Sequence, residues 1–198
     1  MVDCNNYADR PLRELLADTA AKSPTPGGGS IAAYVGAVAA ALGQMAVNYT
    51  IGKPKFSEHE DRLRAVLEEL RRSSEMFMQL AAEDMAAYEA YSAARKSADP
   101  ADQQRALVTA TAVPLEIVAV AAAVLARLDE IKGFLNPHLL SDLQAAALLI
   151  EAAAQAAALN VRTNLTAFAR TDDARPFETQ LDILLQHCGQ HKTAVLGD

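Results

Sequence analysis

The stretch SPTPGGGSIAAYVGAVAAALGQM at residues 23–45 places two prolines and three consecutive glycines directly before a run of small apolar residues. The run has the composition of a buried helix, because alanine is the strongest helix former and its short side chain lets helices approach closely. A serine hydroxyl can cap the first turn of a helix, so we expect this one to begin at Ser30 and to end at Gly52. Helix-on-helix packing is therefore the expected architecture.

The overall composition extends this expectation to the whole chain. Hydrophobic residues make up 51% of the 198 residues, aromatic residues make up only 5%, and tryptophan is absent. The length suits one core, so we expect a single domain over residues 1–198. The alternation typical of strands persists nowhere in the sequence. We predict an all-α fold, a multi-helix bundle with one long helix.

Capping and breaking residues predict the remaining helices. Ser57 followed by Glu60 forms a capping box, and Asp99 and Asn136 each stand before a proline, as at a helix start. Pro114 should kink the helix that contains it. The long helix would measure about 60 Å at 1.5 Å per residue. The expected helices cover about residues 10–22, 57–98, 100–133, 136–170 and 176–188, with a frayed tail after Gly189.

Charge and cysteine content restrict the partners and the location. The formal net charge is −7 and no dense stripe of lysine and arginine is present, so we expect no nucleic-acid partner. The two cysteines, Cys4 and Cys188, lie near opposite ends and cannot build a multi-bridge framework. The N-terminus lacks the pattern of a secretory signal, so we expect a cytoplasmic protein.

Two segments, 30–51 and 106–128, approach the length of about 20 apolar residues that spans a bilayer. The first contains Asn48, and the second contains Pro114 and Glu116. A bundled or dimeric core explains both runs, so we expect no membrane partner.

Polar residues interrupt the apolar faces of three predicted helices. Asp84 stands on the stripe of the long helix, Asp142, Asn160 and Asn164 share one face of a later helix, and Asn48 lies on a similar face of the second helix. An ionised carboxylate on an apolar stripe costs free energy unless it is paired or hydrogen-bonded. The stripe around Asp84 consists of Phe77, Leu80, Ala81, Ala87, Tyr88 and Tyr91.

Two interpretations of these residues stay open. Buried amides and carboxylates can cross-link a core, or several helices can each contribute a polar group to a ligand pocket. The glycines of 27–29 can serve a tight turn only. They can also bring bare backbone amides, at the positive end of a helix, close to a ligand. The stretch lacks the lysine of a phosphate-binding loop.

The order of six motifs resembles the cyclodeaminase/cyclohydrolase family. This family includes the C-terminal domain of formiminotransferase-cyclodeaminase and the free-standing methenyltetrahydrofolate cyclohydrolases. The resemblance spans nearly the whole chain. The motifs are PTPGGGSIAA (24–33), NYTIGKPKF (48–56), EDMAAY (83–88), ATAVP (110–114), NPHLLSD (136–142) and NVRTNL (160–165).

The resemblance implies an all-helical homodimer that acts on the one-carbon unit bridging N5 and N10 of tetrahydrofolate. Because the sequence contains no formiminotransferase domain, we expect hydrolysis of 5,10-methenyltetrahydrofolate to 10-formyltetrahydrofolate. The alternative is cyclodeamination of 5-formiminotetrahydrofolate with release of ammonia. The implied partner is the folate substrate, with no cofactor beyond it.

The resemblance also assigns site residues. Asp84 and Asp142 match the ED and SD positions of the family and are the expected catalytic groups, with their separate roles left open. Lys53 and Lys55 would meet the glutamate tail of the folate. The expected substrate-binding residues are Pro26, Gly27, Gly28, Gly29, Ser30, Asn48, Lys53, Lys55, Asn136, Ser141 and Asn164.

Two rival classes remain. A non-catalytic helical dimer, an adaptor or scaffold, would keep the bundle without the chemistry. A metal-dependent bundle is a third hypothesis, although the Glu-x-x-His pairs of di-iron bundles are missing. His187, Cys188 and His191 have the spacing of helical ligands, but we expect them in a mobile tail and predict no metal site.

Overall fold

The structure, a computed structural model, describes residues 7–197. In this range six α-helices and three short 3-10 turns form and no strand is present, which confirms the all-α prediction. Cys4 lies outside the described residues. The helices are α1 Leu12–Ala20, α2 Gly28–Asn48, α3 Glu60–Ala94, α4 Pro100–Ile131, α5 Leu140–Leu165 and α6 Thr171–Leu196, and the turns are Pro54–His59, Lys132–Phe134 and Pro137–Leu139.

Helices α2 to α5 form an up-and-down four-helix bundle. Helix α2 packs on α3 and α5, α4 packs on the same two helices, and α6 covers α4 and α5. The start of α2 therefore meets the ends of α3 and α5, and we call this part of the bundle the glycine-loop end. At the other extreme the residues after α2 meet those before α5, where the Asn136 N–H donates to the Thr50 hydroxyl. We call this part the Thr50–Asn136 end.

Small residues let α2 lie close to its neighbours. Ala33 and Ala46 of α2 are fully buried. A Cβ atom at Gly36 would stand 2.8 Å from the Phe77 ring of α3, nearer than carbon atoms approach. Close packing of this kind places backbone and side chains of neighbouring helices in direct contact. The alanine-rich composition is thus used as the sequence predicts.

The start of α2 differs from the prediction. The helix begins at Gly28 with Gly27 as its N-cap residue, not at Ser30. The Ser30 hydroxyl accepts a hydrogen bond from the Gly27 N–H and donates one to the Gly27 carbonyl, each at 3.0 Å. Ser30 therefore reaches back from the third helical position and fixes the loop, as the third residue of a capping box does.

Helix α3 confirms the long helix but not its bounds. The Ser57 hydroxyl donates to the Pro54 carbonyl at 2.9 Å within a 3-10 turn, so the α-helix begins at Glu60. It ends at Ala94, and 35 residues give a length of about 52 Å. The predicted start of α4 is confirmed, because the Asp99 carboxylate accepts from the second helical N–H at 2.9 Å. The helix then continues through the proline at position 114 to residue 131.

The predicted short last helix with a frayed tail is wrong. Helix α6 runs over Thr171–Leu196, beyond the expected 176–188, and α5 stops at residue 165 rather than 170. Val195 is only 2% exposed. The Gln144 side-chain amide of α5 donates to the Leu196 carbonyl at 3.1 Å. Tertiary packing and this hydrogen bond hold the last turns, which the sequence alone does not reveal.

Three helical segments of the described chain are long and apolar enough to cross a membrane by length and composition. They are Gly28–Asn48, Pro100–Phe134 and Pro137–Leu165, and 61%, 67% and 44% of their most apolar windows are buried within the protein. Mutual packing accounts for most of the apolar surface of α2 and α4. It leaves the outer faces of α2 and α5 exposed.

Candidate active site at the glycine-loop end

A cavity of about 360 Å³ opens at the glycine-loop end between α2, α3, α4 and α5. The glycine loop forms one wall and Asp84 of α3 lies against it. Three predicted glycines, one predicted carboxylate and one predicted asparagine therefore meet at a single site. The lining residues are Pro24, Thr25, Gly27, Gly28, Gly29, Asp84, Tyr88, Tyr91, Arg95, Ala110, Asn160, Thr163 and Asn164.

The Asp84 carboxylate packs directly on the backbone of Gly29. A Cβ atom at position 29 would stand 2.7 Å from the carboxyl carbon, so a larger residue there would have to displace the carboxylate. The Ser30 N–H donates a hydrogen bond to the carboxylate. The first N–H groups of α2, which have no partner within the helix, and the positive end of its dipole therefore face the Asp84 carboxylate. The glycines serve a close approach between α2 and α3 as well as a turn.

Burial raises the pKa of Asp84 to about 6, and the hydrogen bond from Ser30 opposes this shift. No ion pair of the described residues includes Asp84. The group is thus mostly ionised at pH 7 and close to its protonation midpoint, as suits a general base that later returns a proton. A partly buried carboxylate without a cationic partner, in a cavity, is also suited to bind a cation.

Two amides of α5 contribute further polar groups to the cavity. Asn164 donates from Nδ2 to the Ala110 carbonyl of α4 at 2.8 Å, and Asn160 donates from Nδ2 to the Ala156 carbonyl at 3.1 Å. Among the described residues no hydrogen bond uses Oδ1 of either amide. Both oxygens can accept a hydrogen bond from a ligand.

Two lining residues of α3 and its C-cap residue were not predicted as site residues. Tyr88, Tyr91 and Arg95 follow Asp84 at intervals of four, seven and eleven residues, so all four share one helix face. Both tyrosines belong to the predicted apolar stripe, and Arg95 lies one turn beyond it. The signal that identifies Arg95 is the helical spacing of the stripe, which reaches position 95 four residues after Tyr91. Pro26 and Ser30 are buried and do not line the cavity.

The other predicted site residues lie far from the cavity. Eighteen residues of α5 separate Asp142 from Asn160, about 27 Å along the helix. None of the following residues lines the cavity: Asn48, Lys53, Lys55, Asn136, Ser141 and Asp142. Within this chain the two predicted carboxylates therefore stand at opposite ends of the bundle.

At the Thr50–Asn136 end Thr50 and Asn136 hydrogen-bond to each other and to neighbouring backbone groups. The Asn136 side chain accepts from the His138 N–H at 3.2 Å, and its own N–H donates to the Thr50 hydroxyl at 3.1 Å. The Thr50 hydroxyl donates to the Ala46 carbonyl at 2.9 Å. Asp142 lies in the first turn of α5, where a carboxylate interacts favourably with the helix dipole. These contacts join α2 to α5.

The histidines and cysteine of α6 are not part of a metal-binding group of three or more side chains in the described chain. Within residues 7–197 no group of three or more histidine, cysteine, aspartate or glutamate side chains could hold a metal ion. Cys188 is buried, and burial raises the pKa of its thiol to about 12. The His191 Nδ1 lies 3.0 Å from the Asp129 carboxylate of α4.

Comparisons with known proteins agree with this architecture. A family model described as formiminotransferase-cyclodeaminase matches residues 11–182. The methenyltetrahydrofolate cyclohydrolase of Methylorubrum extorquens is 39% identical over 164 residues, which cover 77% of this chain and 78% of that protein. The formimidoyltransferase-cyclodeaminase of Mus musculus is 31% identical over 96% of this chain, which spans only 37% of the mouse protein. A crystal structure of formiminotetrahydrofolate cyclodeaminase from Thermotoga maritima matches with a TM-score of 0.91 and 29% identity, over 94% of each chain.

Proposed function

Because this chain belongs to the formiminotransferase-cyclodeaminase family, we propose that it is an enzyme of folate one-carbon metabolism that hydrolyses 5,10-methenyltetrahydrofolate to 10-formyltetrahydrofolate. The observation that carries this proposal is the Asp84 carboxylate, partly buried in a cavity against the start of α2 with a pKa of about 6. Similarity to a methenyltetrahydrofolate cyclohydrolase over most of that protein supports the choice of reaction.

The substrate is an amidinium cation, and the cavity offers it an anion without a cationic partner. The ionised Asp84 attracts the positive charge shared by N5, the bridging carbon and N10. As a general base it takes a proton from water while the water oxygen bonds to the bridging carbon. The positive charge is lost in this step, and a neutral carbinol with bonds to both nitrogens results.

The second step opens the ring on the N5 side. The carbinol hydroxyl loses its proton to solvent, the carbon–oxygen double bond forms, and the bond from carbon to N5 breaks. The protonated Asp84 gives its proton to N5 and returns to its ionised form. The sum of both steps consumes one water and releases one proton, and the formyl group stays on N10. We assign the Oδ1 atoms of Asn160 and Asn164 to binding the pterin N–H groups.

Cyclodeamination is the second candidate. The close structural match to formiminotetrahydrofolate cyclodeaminase favours it, and that reaction also needs proton transfer at nitrogen next to a cationic carbon. Here N10 attacks the formimino carbon, and a group such as Asp84 moves a proton toward the departing ammonia. The same residues therefore serve either reaction.

The deciding experiment supplies purified protein with each substrate separately. We expect loss of the methenyl absorbance with 5,10-methenyltetrahydrofolate, and no such loss with the Asp84→Asn variant. Gain of methenyl absorbance together with ammonia from 5-formiminotetrahydrofolate would assign the cyclodeaminase. If the folded protein neither turns over nor binds either folate, the result would support the alternative of a non-catalytic scaffold.

We also propose that the protein is a homodimer joined through the outer faces of α2 and α5. These helices pack side by side, and both carry exposed apolar residues. Val38 is 66% exposed, Leu159 is 63% exposed and Leu148 is 49% exposed. A second copy that presents the same surface would cover all three, as two-fold symmetry requires.

Light scattering at micromolar concentration tests this assembly. We expect a dimer that Leu148→Glu dissociates, because the charge would be buried in the interface. Ile183→Glu on α6 is the matched control, since Ile183 has the same exposure of 49% outside the proposed interface. A wild-type monomer, or equal dissociation by both variants, would contradict the proposed interface.

The remaining assignments follow from the chemistry. Both proposed reactions need only the folate, water and protons, so we propose no further cofactor and expect activity to withstand a chelator. The net charge of −7 disfavours nucleic acid, and the proposed dimer would cover apolar surface that a membrane could otherwise contact. We therefore propose a cytoplasmic enzyme without membrane or nucleic-acid partners, which cell fractionation tests.

A further inference from the structure

One cation lines the cavity, Arg95, which is the C-cap residue of α3 and differs from most arginines of that helix. Within the described residues Arg62, Arg64 and Arg71 each pair with a glutamate, whereas no ion pair includes Arg95. Arg95 lines the cavity and is exposed to solvent. An unpaired guanidinium at the mouth of a cavity is available for a carboxylate of a ligand.

The residues of α3 between Asp84 and Arg95 give the cavity a chemical order. Asp84 lies against the start of α2, Tyr88 and Tyr91 follow along the same face of α3, and Arg95 is the C-cap residue directly after the helix. The eleven residues from Asp84 to Arg95 correspond to about 16 Å. The wall thus presents an anion, two aromatic rings and a cation in sequence.

A reduced folate carries the complementary groups in the same order. Its one-carbon centre is cationic in the methenyl form, an aminobenzoyl ring follows, and a glutamate with carboxylates ends the molecule. Aromatic side chains contact a benzoyl ring favourably, and arginine binds a carboxylate through two parallel hydrogen bonds. The alternative cations, Lys53 and Lys55, are exposed and lie at the Thr50–Asn136 end.

We propose that Arg95 binds the glutamate carboxylate of the substrate and so determines the preference of this enzyme for tail-bearing folates, with Tyr88 and Tyr91 against the aminobenzoyl ring. The inference rests on the proposed function, because it orients the same substrate in the same cavity. It replaces the expectation that the two lysines hold the tail.

The test compares two substrates and two matched variants. The substrates are 5,10-methenyltetrahydrofolate and 5,10-methenyltetrahydropteroate, which lacks the glutamate. Arg95→Ala should raise KM for the folate about tenfold and change kcat by less than about twofold, as loss of one exposed charge-assisted contact would. With the pteroate the same variant should differ from wild type by less than about twofold. The folate effect should shrink in high salt.

Arg72→Ala is the control, because Arg72 is an exposed arginine of the same helix, without an ion pair, twelve residues before Asp84 and outside the cavity. It should leave the KM of both substrates unchanged. An equal effect of Arg95→Ala on both substrates, or none on the folate, would overturn the inference while wild-type turnover upheld the proposed function. Failure of the wild type to act on or bind any folate would instead overturn the proposed function.

Discussion

The two ends of the bundle contain similar polar residues and use them differently. At the glycine-loop end Asp84 lacks an ion-pair partner and faces a cavity, together with amide oxygens that accept no hydrogen bond from the described residues. At the Thr50–Asn136 end Asn136 is buried and hydrogen-bonded to its neighbours, and the first turn of α5 accommodates Asp142. A polar residue on an apolar face therefore indicates function when its hydrogen-bonding groups face an open cavity, and structure when they join neighbouring segments, as those of Thr50 and Asn136 do.

The largest expected effect separates the two carboxylates. Asp84→Asn keeps the shape of the side chain and removes the base, so kcat should fall by roughly 10²–10⁴-fold. Asp142→Asn should change kcat by less than about threefold, because in our account it interacts only with the dipole of its own helix. Steady-state kinetics of both variants with 5,10-methenyltetrahydrofolate provide the measurement. A larger loss in Asp142→Asn would move the chemistry to the opposite end.

The second comparison lies within the glycine loop. Gly29→Ala places a Cβ atom against the Asp84 carboxylate and should displace it, with a loss of activity of about 10²-fold and of stability of about 1–3 kcal/mol. Gly28→Ala places its Cβ atom at 3.4 Å from the Asn160 amide nitrogen, which is ordinary contact. That variant should fold normally and retain most of its activity.

Urea unfolding and turnover of both glycine variants provide the measurements. Equal loss of activity in the two proteins, with equal stability, would show that the loop contacts the ligand at position 28 rather than positioning Asp84. Full activity in Gly29→Ala would contradict the close approach described above.

The third prediction concerns the stability of the protein at different pH values. The pKa of Asp84 is raised in the folded state, so the folded protein binds a proton that the unfolded chain releases between about pH 4 and pH 6. Wild type therefore loses stability as the pH rises through this window, relative to Asp84→Asn. The variant should be more stable by about 2 kcal/mol at pH 7 and equally stable near pH 3.

Denaturant unfolding at both pH values checks the sign as well as the size. Asp142→Asn is again the control and should show no stabilisation at pH 7. A destabilised Asp84→Asn protein would mean that the carboxylate holds the core together, as the cross-link interpretation requires.

The smallest expected effect separates two asparagines. Asn164→Ala removes an acceptor from the cavity and should lower kcat/KM about tenfold. Asn136→Ala removes the cap before α5 and should cost about 1 kcal/mol of stability while kcat/KM stays within about twofold. The reverse assignment of effects would contradict the difference between the two ends.

The sequence predicts most of the fold because its signals are local. Alanine content, the Asp99 cap and the apolar stripe of α3 specify helices without knowledge of their neighbours. The sequence did not predict the last turns of α6, because tertiary contacts stabilise them: Val195 is buried, and Gln144 of α5 donates a hydrogen bond to the Leu196 carbonyl. The start of α2 was missed because Ser30 fixes the loop from inside the helix.

The site was predicted in part for a similar reason. Asp84 is conspicuous because a carboxylate interrupts apolar residues, and the glycines are conspicuous in any sequence. Their contact depends on the close packing of α2 on α3, which periodicity does not reveal. Conversely, Asp142 and Asn136 match the same pattern but lie at the other end of an antiparallel bundle. Only the tertiary arrangement separates them from the cavity.

The pH dependence of catalysis tests the central claim, that the ionised Asp84 carboxylate at the glycine-loop end is the base. The rate of approach to equilibrium between 5,10-methenyl- and 10-formyltetrahydrofolate, measured from pH 5 to 8, should give a kcat/KM that is half-maximal near pH 6. Asp142→Asn should retain this midpoint. A wild-type profile without an inflection near pH 6, or a midpoint that Asp142→Asn removes, would contradict the account.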